Sequence, residues 1–252
     1  MGTSVGGVRL SRRRLLGFGA VAVATGAAMV ATSNSVSADT YGSGQLDPWE
    51  GLNTSISSDD QIRRVLAADG VFLFGDSIMV QDGNHLARRV LTLTHKPMAM
   101  HNWAGQPTEA AVDALERWKT KYGLPSRIVM AVGSNDIFKP PAFGPQVDRA
   151  MRIIGPAREV FWVNTYVCRT RESDLVQRAD RRNTNWVNRQ LDDAERRYPN
   201  LHVVRWAEFI ATVKSTRHYV RDGVHTTVPL GQRFRDELIT DALTSSRQVT
   251  GS

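Results

Sequence analysis

A serine that ends a strongly apolar run is the first candidate for chemistry. Ser77 closes the tripeptide Gly75-Asp76-Ser77, directly after the apolar residues 71–74. A serine at the point where a buried strand gives way to a helix holds its Oγ at the rim of the sheet, as a nucleophile requires. A plain helix N-cap uses the same residue type at the same point. Ser77 is therefore a candidate nucleophile that still needs a base.

A histidine near the end of the chain could supply that base. Asp222 and His225 lie three residues apart, on either side of Gly223. One turn of chain can bring the carboxylate to the imidazole Nδ1 and leave Nε2 free. This is the base half of a serine triad, although a lone Asp-x-x-His pair can also be purely structural. The catalytic interpretation of the pair is stronger because Ser77, Asp222 and His225 together would form a complete triad.

Two other polar positions could stabilise an oxyanion. Gly105 offers its backbone N–H to a ligand without a side chain in the way. Asn135, in the segment Gly133-Ser134-Asn135-Asp136, carries an NH₂ group that could donate to an oxyanion. Both residue types are also common in tight turns for conformational reasons alone. Neither position decides the matter by itself.

Strands and helices must bring these positions together. Four short runs rich in Val, Ile and Phe are typical of strands covered on both faces, namely 71–74, 127–132, 159–163 and 201–206, and residues 98–103 are a fifth candidate strand without that composition. Four segments of helical period are marked by Leu86, Val90 and Leu93; by Val112, Leu115, Trp118 and Tyr122, opened by Pro107; by Trp186, Val187, Leu191 and Ala194; and by Leu230, Phe234, Leu238 and Ile239. This alternation predicts an α/β fold, a three-layer α/β/α sandwich around a mainly parallel sheet of five strands. Ligands bind such sheets at the carboxyl ends of the strands, where the polar positions lie.

Four sequence blocks, taken in order, resemble the consensus blocks of the SGNH hydrolases, also called the GDSL family. The resemblance covers roughly residues 70–245 and rests on Gly75-Asp76-Ser77, Gly105, Gly133-Ser134-Asn135-Asp136 and Asp222-Gly223-Val224-His225. The first block continues with Ile78 where the family name implies leucine, an exchange of one apolar residue for another. The resemblance implies a flavodoxin-like sheet and a local structural role for Asp76.

The resemblance also implies a role for each candidate residue. Ser77 is then the nucleophile, His225 the general base and acid, and Asp222 the residue that orients His225. The oxyanion hole comes from the Ser77 N–H, the Gly105 N–H and the Asn135 side chain. The chemistry would be acyl transfer, which needs no cofactor and no metal ion.

The first 57 residues differ in character from the rest. Residues 1–38 carry Arg12 and Arg13 ahead of a weakly apolar, uncharged run and end in small residues, the pattern of an export signal of the twin-arginine type. An uncleaved signal anchor is the alternative. We interpret residues 39–57 as a leader loop and residues 58–252 as the hydrolase domain. The expected location is therefore secreted or in the cell envelope, with membrane contact only during export.

Composition excludes several other classes. The single cysteine, Cys168, cannot form an intramolecular disulfide. The formal charge of the whole chain is +7, but four of its 32 basic residues and none of its 25 acidic residues lie in residues 1–38, so the remainder carries only +3. Nucleic-acid binding therefore has no support. No histidine pair has metal-ligand spacing, and we expect His85, His95, His101, His202 and His218 to be surface or packing residues.

Several large side chains have two interpretations. We expect Trp162, Trp186 and Trp206 in the core and Trp103 as a candidate pocket wall. Cys168 is expected to be half-buried and inert. A group of basic residues follows the run 159–163. We interpret it as a solvated face; the alternative is a surface that favours an anionic or polymeric carbohydrate substrate. The group consists of Arg169, Arg171, Arg178, Arg181 and Arg182.

Together these observations predict a secreted, monomeric serine esterase that acts on small acyl esters or on an acylated carbohydrate. An O-acyltransferase acting on cell-envelope polysaccharide is the main rival, because the same triad serves both reactions. A carbohydrate-binding module without catalysis is a rival of another class. The presence of Ser77, Asp222 and His225 together speaks against that module.

Overall fold

One sheet of six strands runs through the part of the chain that the computed structural model describes, residues 41–48 and 52–245. The strands are β1 (Thr54–Ile56), β2 (Val71–Gly75), β3 (Met98–Trp103), β4 (Arg127–Ala131), β5 (Glu159–Val163) and β6 (Leu201–Val204). Their order in the sheet is β1-β3-β2-β4-β5-β6. Strand β1 pairs antiparallel with β3, and the other neighbours pair parallel. The predicted three-layer, mainly parallel sheet is confirmed.

Helices cover both faces of this sheet. They are α1 (Asp59–Ala67), α2 (Ser77–Thr94), α3 (Thr108–Tyr122), α4 (Phe143–Ile154), α5 (Asp174–Arg197), α6 (Trp206–Thr212) and α7 (Leu230–Ser245). The buried apolar side chains of α1, α3, α4 and α5 share one core cluster with one face of the sheet. Those of α2, α6 and α7 share a second cluster with the opposite face. Among the described residues, no helix is both long and apolar enough to cross a membrane.

Strand β2 is apolar throughout because both of its faces are covered. Phe72 and Phe74 belong to the first core cluster, whereas Val71 and Leu73 belong to the second. The exposed fraction of each of these four side chains is 2% or less. Burying such a side chain contributes about 1.5–3 kcal/mol, so β2 is strongly held between β3 and β4. Its carboxyl end delivers Ser77 to a fixed place.

The sixth strand corrects the prediction of five. Strand β1 lies within residues 39–57, which the sequence indicated as a leader loop. It pairs Thr54 with Trp103 and Ile56 with His101 on the free edge of β3. Three residues are too few to show a strand pattern, so the edge of β3 determines this strand more than its own sequence does.

The five predicted strands and the four predicted helical segments are all present, with differences in detail. Strand β6 ends at Val204, and Trp206 begins α6 as a buried core residue. Trp186 was wrongly assigned to the core, because it is 37% exposed on α5 with only an edge contact to the ring of Tyr41. The predicted export signal, residues 1–38, lies outside the described residues.

Candidate active site

Ser77 is the first residue of α2, directly after the most buried strand. The Asp76 carboxylate caps this helix by accepting a hydrogen bond from the Ile78 N–H at 3.0 Å. The cap satisfies a donor that would otherwise lack a partner at the helix start. Ser77 therefore does not serve as the cap, and its hydroxyl remains available for another partner.

That partner is His225. The distance between Ser77 Oγ and His225 Nε2 is 2.8 Å, and the distance between His225 Nδ1 and Asp222 Oδ2 is also 2.8 Å. With the ring proton on Nδ1, His225 donates to Asp222 and its Nε2 accepts from the Ser77 hydroxyl. The three side chains form a continuous chain of hydrogen bonds, the geometry that a serine nucleophile needs for activation.

The carboxylate of Asp222 is held in its charged form. Partial burial alone would raise the pKa of Asp222, but hydrogen bonds from the His225 ring and from the backbone N–H groups of His225 and Val224 outweigh it and hold the pKa well below its usual value. An ionised Asp222 fixes the tautomer of His225 and stabilises the positive charge that develops when the ring takes a proton.

The loop that carries Asp222 and His225 follows α6 rather than a strand. An antiparallel bridge between Val220 and Thr226 closes it at its base. Its position against the sheet comes from the segment after β5, where the Cys168 N–H donates to Gly223 O at 2.9 Å and the Thr170 N–H donates to Asp222 O at 3.0 Å. The histidine thus reaches Ser77 through a docked loop, a route that differs from the strand end predicted from the sequence.

The two expected oxyanion donors border the same cavity as the triad. Gly105 lies after β3 and Asn135 in the 3-10 turn after β4, and both line the cavity together with Ser77 and His225. The Asn135 Nδ2 donates to the Gln106 carbonyl at 3.2 Å. This distance is at the long end of the ordinary range, and the bond holds the amide at the cavity wall.

A buried acid ties the two oxyanion segments together. Asp136 accepts hydrogen bonds from the Thr108 N–H at 3.1 Å and from the Thr108 hydroxyl at 2.8 Å, and it thereby caps α3 from the neighbouring turn. Burial raises the pKa of Asp136 to about 6, against the opposing effect of these bonds. Gly105 and Asn135 therefore keep a fixed separation across the carboxyl ends of β3 and β4.

A second buried acid links Ser77 to the Asn135 turn. The Ser134 hydroxyl donates to the Asp76 carboxylate, which also caps α2. Burial raises the pKa of Asp76, while these hydrogen bonds and the nearby charge of Arg235 oppose the shift. This agrees with the local structural role expected for Asp76.

The cavity has a volume of about 600 Å³, within the range of small-molecule sites. One part of its wall is apolar, formed by Val80, Ile137, Phe138, Val167 and Val224. Polar groups come from Asn53, Thr54, Gln81 and two arginines, Arg169 and Arg221. An acyl chain could contact the apolar part while the ester carbonyl reaches Ser77.

Some of the residues that line the cavity were not predicted from the sequence. Asn53 and Thr54 come from the edge-strand region that was interpreted as a loop. Gln81 lies four residues after Ser77, one helical turn away, and this spacing was a usable signal. Its amide donates to Thr226 Oγ1 at 2.8 Å and so braces the residue after His225. Arg221 directly precedes the block Asp222-Gly223-Val224-His225.

Other expectations are corrected or refined. Trp103 is buried and does not line the cavity, so it is not a pocket wall. Cys168 is 7% exposed, which is deeper than half-buried, and its Sγ accepts a hydrogen bond from Arg181 at 2.8 Å. Of the basic group after β5, only Arg169 borders the cavity. Within residues 41–48 and 52–245, no group of three or more His, Cys, Asp or Glu could hold a metal ion.

The protein resembles known proteins in structure but not in sequence. No sequence-family model matches the chain, and no curated protein sequence matches it. Several solved structures are similar. The C-terminal catalytic domain of peptidoglycan O-acetyltransferase A from Streptococcus pneumoniae is 16% identical with a TM-score of 0.53, and the match covers 72% of this chain and 94% of that one.

Two lipases give similar matches. A lipase/acylhydrolase from Enterococcus faecalis is 18% identical with a TM-score of 0.55, covering 70% of this chain and 96% of its own. A GDSL-like lipase from Bacteroides thetaiotaomicron is 12% identical with a TM-score of 0.58, covering 76% and 92%. At these identities the likeness concerns the architecture, and this chain has the fold of the SGNH hydrolases.

Proposed function

We propose that this protein is a serine hydrolase of the SGNH family that cleaves small acyl esters. The observation that carries the proposal is the pair of 2.8 Å distances that link Ser77 to His225 and His225 to Asp222. Ester hydrolysis needs a nucleophile, a base that takes its proton, and a group that orients the base. The three side chains supply these functions, and Ser77 and His225 line one cavity.

The proposed reaction has two stages. His225 Nε2 takes the proton of Ser77, and Oγ attacks the ester carbonyl to form a tetrahedral oxyanion. The N–H groups of Ser77 and Gly105 and the amide of Asn135 donate to that oxygen, and one such donor typically contributes about 3 kcal/mol to lowering the barrier. His225 then protonates the departing alcohol as its bond to the carbonyl carbon breaks, and the acyl group remains on Ser77.

Water completes the reaction in the hydrolase. His225 takes a proton from the water as it attacks the acyl-serine, and the acid leaves. A sugar hydroxyl in place of water would make the protein an O-acyltransferase. The architectural likeness to a peptidoglycan O-acetyltransferase domain keeps that reaction as the second candidate. The assembled triad speaks against a binding module without catalysis.

Export is a separate part of the proposal. The arginine pair, the uncharged apolar run and the small residues before residue 39 support an exported protein that passes the membrane by the twin-arginine route. The enzyme would then act outside the cytoplasm, where acylated envelope carbohydrates are available as substrates. We propose that it works as a monomer without a cofactor.

Kinetics of purified residues 39–252 test the activity. We expect hydrolysis of p-nitrophenyl acyl esters of increasing length and its loss in Ser77→Ala, because the removal of a triad nucleophile leaves only residual catalysis. Ser245→Ala, at the exposed far end of α7, is the matched control. An oligosaccharide acceptor in a parallel reaction separates transferase from hydrolase. A folded Ser77→Ala protein that keeps a tenth of the activity would exclude the serine mechanism.

A further inference from the structure

The cavity is lined by more basic than acidic side chains. Among the described residues that line it there is no aspartate or glutamate, but there are two arginines, Arg169 and Arg221. A positive charge at the wall of a partly apolar cavity attracts an anionic ligand more strongly than it would in open water. The two arginines differ in how far their charges are already neutralised.

Arg169 is neutralised within the protein. Its Nε donates to Asp180 Oδ2 at 2.9 Å and its Nη2 to Asp180 Oδ1 at 2.7 Å, and the Asp180 side chain is fully buried. Its Nη2 also donates to the Ser43 carbonyl at 2.5 Å. Such a two-pronged ion pair holds the guanidinium rigidly. Arg169 therefore braces the cavity wall and contributes little net charge.

Arg221 is placed differently. Its side chain is 55% exposed, and its Nε forms a loose ion pair with Asp222 Oδ2 at 3.8 Å, a distance too long for a hydrogen bond. The Asp222 carboxylate is already occupied by the His225 ring and by two backbone N–H groups. The planar guanidinium has five N–H donors and matches a carboxylate or phosphate in a two-pronged geometry. Arg221 thus offers donors and charge at the cavity.

The position of Arg221 relative to the triad decides which part of the ester it faces. The Arg221 N–H donates to the His225 carbonyl at 2.8 Å, so the two residues are adjacent across the closed loop. His225 must give its proton to the departing alcohol, which places the alcohol portion on the histidine side of Ser77. The oxyanion donors Gly105 and Asn135 come from the loops after β3 and β4. Because the Arg221 side chain also lines the cavity, its guanidinium lies on the leaving-group side of Ser77.

We infer that Arg221 is a specificity residue that binds an anionic group on the alcohol portion of the ester, so that the preferred substrates are acyl esters of hydroxy acids or of acidic sugars. The inference rests on the proposed function and narrows its substrate class. It differs from the suggestion of a basic surface after β5, because the charge comes from the loop of the triad itself.

Two matched acetyl esters test the inference. 4-Acetoxybenzoate carries a carboxylate on its alcohol portion, and 4-acetoxybenzamide is a neutral compound of nearly the same shape. The measured quantity is the ratio of their kcat/KM values. We expect Arg221→Gln to lower that ratio tenfold or more, mainly through KM for the anionic ester, because a charge-assisted contact is lost. Arg221→Lys should keep part of the ratio, and added salt should lower it in the wild type.

Controls distinguish specificity from other effects. Arg217→Gln removes an exposed arginine four residues earlier that does not line the cavity, and it should retain the wild-type ratio. A second pair, p-nitrophenyl hemisuccinate and p-nitrophenyl valerate, places the charge on the acyl portion instead. A preference confined to this second pair would overturn the assignment to the alcohol portion. An equal loss with both acetyl esters in Arg221→Gln would show that Arg221 acts through the triad, which also overturns the inference.

The same assay separates this inference from the proposed function. Wild-type cleavage of 4-acetoxybenzamide that depends on Ser77, with no preference for the anionic ester, would overturn the inference and leave the esterase intact. If the wild type cleaved none of the four esters, the proposed function and this inference would fail together.

Discussion

A Cβ atom added to Gly223 would lie 1.7 Å from the carbonyl oxygen of Cys168. The loop that carries Asp222 and His225 is therefore in direct backbone contact with the segment after β5. Gly223 also has a φ of +86°, a conformation that side chains rarely adopt. The glycine of this block is required by close packing as well as by conformation, and the packing positions the base half of the triad.

Gly223→Ala should therefore lose activity beyond the cost of its backbone strain. The alanine side chain must push the loop away from Cys168 and move His225 relative to Ser77, and small displacements of catalytic groups can cost about 100-fold in rate. Gly155→Ala is the matched control, because its φ is +81° and a Cβ there meets nothing within 4 Å. We expect Gly155→Ala to cost about 1 kcal/mol of stability with activity retained. Equal kcat/KM values for the two variants would contradict this account.

The stability of the protein should depend on pH through Asp136. Burial raises the pKa of Asp136 in the folded state to about 6, above the usual value of 3.8. The folded state therefore binds this proton more tightly than the unfolded chain does. The resulting stabilisation is complete below pH 3.8 and is lost as the pH rises through about 6, by roughly 3 kcal/mol for a shift of this size.

Asp136→Asn tests this dependence because it removes the titration and keeps one oxygen for Thr108. Urea unfolding at pH values from about 4 to about 7 gives the free energy of unfolding of each protein. The difference between wild type and variant should shift against the wild type as the pH rises. Asp60→Asn, which removes an exposed carboxylate from α1, should show no such trend. A constant difference for Asp136→Asn would contradict the raised pKa.

The export route predicts the fate of the precursor. With Arg12 and Arg13 both changed to lysine, the twin-arginine receptor should no longer recognise the signal, although the charge of the segment is retained. We expect the full-length precursor to accumulate inside the cell, as measured by fractionation and immunoblotting. Undiminished export would indicate the general secretory route or recognition of the Arg13-Arg14 pair.

Much of the architecture could be predicted from the sequence because two-sided burial leaves a strong pattern. Strand β2 must be apolar at every position, and its run from Val71 to Phe74 is therefore visible without a structure. The partners Asp222 and His225 were also visible, since three residues of chain suffice to join them. Both features depend on local sequence alone.

Features that depend on distant partners could not be predicted. Strand β1 exists because β3 offers a free edge, and its three residues carry no pattern of their own. Trp186 follows helical periodicity but falls at the margin of the buried face, where Tyr41 covers it only partly. The role of Arg221 depends on the orientation of a loop that is docked by Cys168 and Thr170. Such relations arise only when separate segments meet.

Asn135 allows a comparison of catalytic and structural roles at one position. If its amide donates to the oxyanion, Asn135→Ala should lower kcat by about 100- to 1000-fold with little change in KM, because the bond strengthens only as charge develops. Asn135→Asp should be at least as harmful, since a carboxylate cannot donate and repels the oxyanion. A single hydrogen bond such as that from Asn135 to Gln106 O contributes only about 1 kcal/mol to folding, so neither substitution should lower the melting temperature strongly.

A purely structural asparagine predicts an effect on a different quantity for the same two variants. Neither alanine nor a carboxylate can replace the donation from Asn135 to the Gln106 carbonyl, so both substitutions would then lower the melting temperature and leave the kcat of the folded enzyme near normal. Melting temperature and kcat measured on both variants therefore separate the two roles. An Asn135→Asp enzyme with near-normal kcat would remove Asn135 from the oxyanion hole and leave only the backbone N–H groups of Ser77 and Gly105 to stabilise the charge.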